Sequence, residues 1–391
     1  MYMSNSKKRI LEKYDFGKLG KEEISIENIP KAAIGRMRYV GVEPERASGL
    51  YMQLDHNAIY TSLTNYLKQK GVILMSTYDA YQKIPWVRKY FWNALPKTYD
   101  EFTKLADEYW RHGYFIYVPP NTKIEVPIQA CLFISKKKIA QPVHNVIIVD
   151  KNSELNLVTG CATMVNEGLH LGISEFYVKE NAKLTFTMIH GWAPEFEVRP
   201  RAAAIVEKGG MFVSYYVNLY PVRDLQMYPT VYLKGNANCY MTNILLGRRN
   251  SSLDVGSRIV FLEKGSKGEI ISRSIVRDEA KVIMRGNLVG KSGDVKGHLE
   301  CKGLILSPKA SAVAVPQLES YVEGAELTHE AAIGRISEEQ LYYLMSKGFT
   351  EEEAVSLIVR GFIEVGLTHL PEVLQSSIRA ILSILEKLAK G

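Results

Sequence analysis

The sequence predicts a mainly β protein with helix gathered at its two ends. Three observations predict it. From Tyr114 to about Val322, short apolar, β-branched and aromatic runs alternate with turn residues. Before that stretch the texture is mixed, with helical spacing in places. After Gly334 the apolar spacing becomes helical again.

The elements follow in order. Ala58 to Lys68 mixes apolar and polar residues at helical spacing, and Tyr99 to Arg111 does so more clearly. There Phe102, Leu105, Ala106 and Tyr109 share one face. His112-Gly113 is expected to close that helix. The β stretch is clearest in MYPTVYL, YMTNILL, SRIVFL, EIISRSIV, KVIMRGNLV, GLIL and SAVAV, split by KGNAN, GRRNSS, EKGSKG, RDEA, GKSGD and SPKAS. So long an all-β run must manage its edges, as a sandwich, a barrel or a stacked solenoid. No strict sequence repeat is evident, and the three stay open at this point. Ser337 with Gln340 predicts a capped helix bearing Leu341, Leu344 and Met345 and ending at Gly348. Thr350 to Glu353 repeats the device, with Gly361 as the expected end. Pro371 opens a last predicted helix, seamed by Leu374, Ile378, Ile381, Leu385 and Leu388.

Composition excludes several classes. The 391 residues are 46% hydrophobic and 23% charged, ordinary for a globular chain with a large core. A net charge of +7 does not demand nucleic acid, and the runs Lys7-Lys8-Arg9 and Lys136-Lys137-Lys138 are expected to be solvated faces. The start lacks the apolar stretch of a signal peptide, and no run reaches membrane-span length. A soluble, cytoplasmic protein is the expectation. Cys131, Cys161, Cys239 and Cys301 form no CxxC pair and are expected to be small buried hydrophobes. A P-loop, GxSxG, HExxH and the Rossmann glycine fingerprint are all missing.

One group carries possible metal chemistry. Cys301, His329 and Glu330 are of the types that bind iron–sulfur clusters. Neighbours on a regular strand point to opposite faces, so His329 and Glu330 would be split. A cluster also takes about four protein ligands, so a second chain or an external thiol would be needed. The plain alternative makes Cys301 a packed strand thiol and His329 a residue leading into the helix.

Three segments then carry a resemblance. GYFIYVPPNTKIEVPIQ (113–129), VIIVDKNSELNLVTGCAT (146–163) and LTHEAAIGRISEEQLYYLMSKGFTEEEAVSLIVRGFIE (327–364) resemble the SufB/SufD family of iron–sulfur cluster assembly scaffold proteins. The likeness runs from about Tyr99 to Glu364. It implies a right-handed parallel β-helix core at 113–325, between an N-terminal α/β domain at 1–112 and a C-terminal helical domain at 326–391. It implies a SufC-like ABC-type ATPase docked on the C-terminal helices. ATP hydrolysis would belong to that partner, and this chain would be no enzyme. It implies pairing with a second SufB/SufD-type protomer through the core. A transient cluster would form at that interface, fed by a sulfur donor and passed to apo-protein acceptors.

Cys301 and His329-Glu330 match the SufB branch in context and spacing, and HEA is SufB-like where SufD commonly has glycine at the position of Glu330. Val231 stands where that branch has a second cysteine, associated with sulfur acceptance, and Thr328 stands where an acid often precedes the histidine. The segment NLVTGCATMVNEGLHL also lacks a longer insertion. The chain therefore resembles a compact, ancestral-type member able to pair with itself, which would double Cys301, His329 and Glu330 across a two-fold axis. One alternative is a SufD-like structural subunit that binds the ATPase without ligating metal. Another is a β-helix carbohydrate enzyme using Glu195 and Glu197, which are expected to lie in a turn beside Pro194.

Overall fold

The computed structural model describes residues 9–17, 31–218 and 220–364. The chain forms a parallel β-solenoid of about 8 turns. Strands β1 (Gly49–Leu54) and β2 (Asn57–Leu63) pair antiparallel, as do β3 (Ile73–Ser76) and β4 (Tyr114–Val118). Beyond β4 the chain alternates between two sheets, and each strand lies parallel on the one a coil earlier.

The first sheet continues from β1 through β5 (Lys123–Ile134), β7 (Glu154–Thr163), β9 (Lys183–Gly191) and β12 (Met211–Asn218). It ends with β15 (Asn238–Gly247), β17 (Lys267–Val276), β19 (Val295–Ile305) and β21 (Ala325–Arg335). The second runs from β4 through β6 (Ala140–Val149), β8 (Glu167–Val178), β11 (Arg201–Val206) and β14 (Thr230–Leu233) to β16 (Ser252–Phe261), β18 (Lys281–Gly290) and β20 (Ser311–Ser320). Two short strands, β10 (Glu195–Val198) and β13 (Asp224–Met227), thicken its middle.

From β7 onward the parallel register of the first sheet is unshifted and stacks side chains in columns through the core. One column runs Leu155, Leu184, Phe212, Cys239, Gly268, Gly297, Leu327. Its two glycines leave room for the Phe261 ring, which would lie 3.0 Å from an added Cβ at Gly297. Cys239 is thus a packing residue, as expected from its apolar surroundings.

A repeat does exist. The corner leading into the first sheet takes a left-handed backbone in each coil, at Asn121, Asn152, Asn181, Gly209, Asn236, Gly265, Asp294 and Gly324. The side chain of Asn152 donates to Asn121 and that of Asn181 to Asn152, 31 and 29 residues apart. Only residues that tolerate positive φ suit the position.

Helices cover the outer face of the first sheet. Helix α1 (Lys31–Tyr39) packs Ala33 and Met37 over Cys131 and Phe133. Helices α2 (Asn65–Gln69), α3 (Thr77–Lys83) and α4 (Glu101–Tyr109) follow in the N-terminal part. At the other end lie α5 (Glu338–Ser346) and α6 (Glu351–Glu364), with Val359 and Ile363 of α6 packed near Ile275 and Leu304.

Several local expectations change. Ala58 to Leu63 is strand, because β2 finds its partner in β1, and only Asn65 to Gln69 is helical. The α4 helix ends on Trp110. Gly113 instead has φ +138°, and an added Cβ would sit 2.4 Å from the His144 carbonyl oxygen. Ser337 precedes α5 without a side-chain cap, whereas Thr350 and Glu353 do form a reciprocal box. Gly348 ends α5 with φ +98°, but α6 continues through Gly361 because Val359 and Ile363 anchor it to the sheet. EFEV is strand β10 rather than turn. Lys136 to Lys138 are exposed as expected, while Lys7-Lys8 and the Pro371–Leu388 seam lie outside the described residues. Among the described residues, no helix is long and apolar enough to cross a membrane.

Candidate functional site

Alternation along VKGHLECKGLI decides what β19 presents. Leu299, Cys301 and Gly303 point inward, while His298, Glu300 and Lys302 point outward. Cys301 is buried at the end of a polar column: Thr159, Met188, Tyr216, Asn243, Ser272, Cys301, Ala331. Asn243 donates to Ser257 and Ser272. Burial pushes the Cys301 thiol up to about 11, with Arg273 and a Ser272 hydrogen bond opposing. At neutral pH it is a thiol, so any metal that bound it would have to displace the proton.

His329 lies opposite Leu299 and Glu330 opposite Glu300 in the β19–β21 register. His329 therefore shares the inner face with Cys301, one strand over and two residues offset. Glu330 is on the outer face, as strand geometry demands. Its carboxylate pairs with the Lys302 ammonium at 3.0 Å. The structure thus brings Cys301 and His329 to one face and holds Glu330 on the other. Among the described residues, no group of three or more His, Cys, Asp and Glu side chains is arranged to hold a metal ion.

This region is open. β20 pairs only with β18, and β21 ends its sheet, so each leaves one backbone edge unpaired among the described strands. Leu318, Tyr321, Val322 and Ile333 are exposed there. Beyond them Tyr342, Tyr343, Met345, Phe349 and Leu357 are exposed on and between α5 and α6.

Other candidates resolve more simply. Cys131, Cys161 and Cys239 are fully buried, and burial raises each thiol. The Glu197 carboxylate is taken by Lys13, Tyr14 and Arg223, and Glu195 lies near Arg223. Val231 lines an internal cavity of about 50 Å³ with His170, Asn145, Ser174 and Tyr216. Burial lowers His170 to about 3, so that imidazole is neutral.

Comparison with known proteins decides the family. Residues 132–362 match the model described as SUF system FeS cluster assembly, SufBD core domain, and residues 47–130 match the SufBD protein N-terminal region. The chain belongs to the SufBD family. It is 45% identical to an iron–sulfur cluster assembly SufBD family protein of Archaeoglobus fulgidus, over 90% of this chain and 95% of the relative. It is 39% identical to one from Methanothermobacter thermautotrophicus, over 96% and 93%. A SufBD relative from Pyrococcus horikoshii is 34% identical over 89% and 79%. The β-solenoid expected from the resemblance is present in this SufBD protein, and iron–sulfur cluster assembly is its setting.

Sequence reading missed the neighbours of the candidate ligands. The His298 ring nitrogen Nδ1 lies 2.9 Å from the Thr328 hydroxyl, on the same outer face as Glu330. Glu300, Lys302 and Arg273 form a charged row beside them. The alternation in HLECKG could have flagged the face; the partner on β17 needed the register.

Proposed function

We propose that this SufBD protein is a scaffold subunit for iron–sulfur cluster assembly, working with a SufC-like ABC-type ATPase. The observation that carries the reading is the open last coil, with Cys301 and His329 on its inner face. One chain offers too few ligands for a cluster, and an unpaired edge rimmed by apolar side chains invites a second chain. A second SufB/SufD-type protomer, a copy of this chain being the simplest, would close the coil. Cys301, His329 and Glu330 from each side would then supply the ligands, Glu330 after leaving Lys302. The cluster is cargo, received with sulfur from a donor and passed to apo-proteins. Residues 1–112 would serve as the N-terminal α/β part, 113–325 as the right-handed core and 326–391 as the helical docking part. The exposed aromatic face of α5 and α6 fits an ATPase that hydrolyses ATP itself, so this chain needs no catalytic site.

The test is anaerobic iron and sulfide reconstitution of Cys301→Ser. Loss of iron and of the visible absorption band is expected. An unchanged spectrum and iron content would remove Cys301 as a ligand. Val231, standing where the SufB branch has its second thiol, favours the second reading: a SufD-like structural subunit that binds the ATPase without ligating metal. That reading gains if wild-type protein takes up no iron yet co-purifies with the ATPase.

A further inference from the structure

The outer face above Cys301 carries a continuous row of charge. It starts beneath α6, where the Arg273 guanidinium lies 5.6 Å from the centre of the Phe362 ring. Arg273 pairs with Glu300 one strand over. The second oxygen of Glu300 accepts from the Lys302 ammonium at 2.6 Å. Lys302 also reaches Glu330 on the last strand at 3.0 Å. Side-chain exposure rises steadily along the row: 4% for Arg273, 13% for Glu300, 29% for Lys302, 56% for Glu330. The row therefore runs from a helix-covered anchor to an open edge.

Its inner members are bound by necessity. A guanidinium with so little water access must keep a carboxylate partner, or an uncompensated buried charge results. Arg273 Nη1 has no hydrogen-bond partner among the described residues, which makes Glu300 more necessary still. Partial burial pushes the Glu300 carboxyl up, yet Lys302 and Arg273 outweigh it and hold it below the carboxylate range. Glu300 is the fixed bridge. Lys302 is the divisible element, because it serves two carboxylates at once. Glu330, with the least burial and Lys302 as its described ion partner, is the member free to leave.

We propose that this ladder couples α6 to the last strand, with Lys302 as the positioning residue that decides whether Glu330 is held or released. With α6 seated, Phe362 shields Arg273, Glu300 is shared, and Lys302 clamps Glu330 on the outer face. With α6 lifted, water reaches Arg273 and its hold on Glu300 weakens. Lys302 then moves fully onto Glu300, and Glu330 is released from the face opposite Cys301. The coupling deepens the scaffold reading, since it gives Glu330 its release step, but the ladder stands without metal.

The test is amide hydrogen exchange on the metal-free full chain, followed in the peptide spanning β21. Lys302→Met is expected to speed exchange there at low salt by up to about 5-fold, the worth of a partly exposed pair. High salt should bring wild type toward the variant and leave the variant unmoved. Phe362→Leu should speed the same peptide in wild type but add nothing in the Lys302→Met background. The peptide spanning β15 serves as control and should not change. Equal salt responses in wild type and Lys302→Met, or strictly additive effects of the two substitutions, would overturn the coupling. Neither outcome bears on iron loading through Cys301, so a failed ladder and a failed scaffold reading are told apart.

Discussion

The two ends of the solenoid are built differently. At the first end β1 and β2 add an antiparallel pair to the first sheet, and helical segments seal what remains. Glu175, fully buried on β8, accepts from the backbone N–H of Trp92, Ala94 and Leu95 and from the Tyr177 hydroxyl, and pairs with His144. That single carboxylate ties the 91–95 segment onto the second sheet. At the last end nothing comparable covers β20 and β21 among the described residues, and Leu318 and Ile333, although on the inner faces of their strands, are exposed. A solenoid needs capped ends to avoid open association. Among the described residues one end is covered and the other open, the arrangement that the proposed pairing with a second protomer would use.

The largest effects should fall at the finished end. Glu175→Ala leaves His144 and the backbone N–H groups of Trp92 and Leu95 without this partner, while Ala94 N–H keeps the Tyr177 hydroxyl. It should cost about 3–5 kcal/mol, read as the shift in a denaturant midpoint. A loss below about 1 kcal/mol would mean that the seal is not what holds this end.

Next comes a direct contrast across one strand step. Leu299→Ala, on the inner face of β19, should cost about 2–5 kcal/mol. Ile333→Ala, on the inner face of β21 but 39% exposed, should cost under about 1 kcal/mol in the unpaired chain, where little of the residue is removed from water. Equal costs would show that the last coil is closed in solution.

Titration sharpens the contrast between interior and rim. His170 is held neutral, its pKa lowered from 6.5 to about 3 by burial. Its unfolded form takes up a proton first, so stability is whole above about 6.5 and falls as pH drops toward 3, by up to about 1.4 kcal/mol per pH unit. His170→Gln should flatten that fall. Cys301 is raised from 9.0 to about 11, so its contribution is whole below 9 and is lost as pH rises from there to 11. Alkylation of Cys301 in the folded chain should be slow at neutral pH and quicken across that alkaline range.

The smallest effect belongs to solvated pairs. Lys309→Ala breaks the exposed Lys309–Glu279 contact and should leave the unfolding midpoint unchanged, because water and salt already screen such pairs. A measurable shift would mean that this corner is covered.

Much of this was legible in the residues. The strand-rich middle and the helical ends follow from period and turn chemistry, and HEA was readable as a His-Glu pair that strand geometry divides between two faces. The repeat was not legible as identity, because its marker changes among Asn, Gly and Asp; what repeats is a positive φ. NAIYTSL read as helix because its pairing with β1 is tertiary information. Gly361 read as a stop because the anchoring of Val359 and Ile363 on the sheet, which carries the helix past it, is invisible in a propensity. The Arg273–Glu300–Lys302–Glu330 ladder depends on register across three strands, which a single sequence does not carry.

The central claim is that the open last coil becomes a cluster site only when a second chain closes it. Anaerobic co-expression with an ABC-type ATPase, followed by native mass and iron–sulfide analysis, tests it in wild type and Ile333→Arg. The account predicts a paired wild-type complex that holds iron and sulfide. It predicts an Ile333→Arg chain that is folded and single, still binds the ATPase, and holds neither. A single-chain Ile333→Arg protein with wild-type iron and sulfide would contradict it.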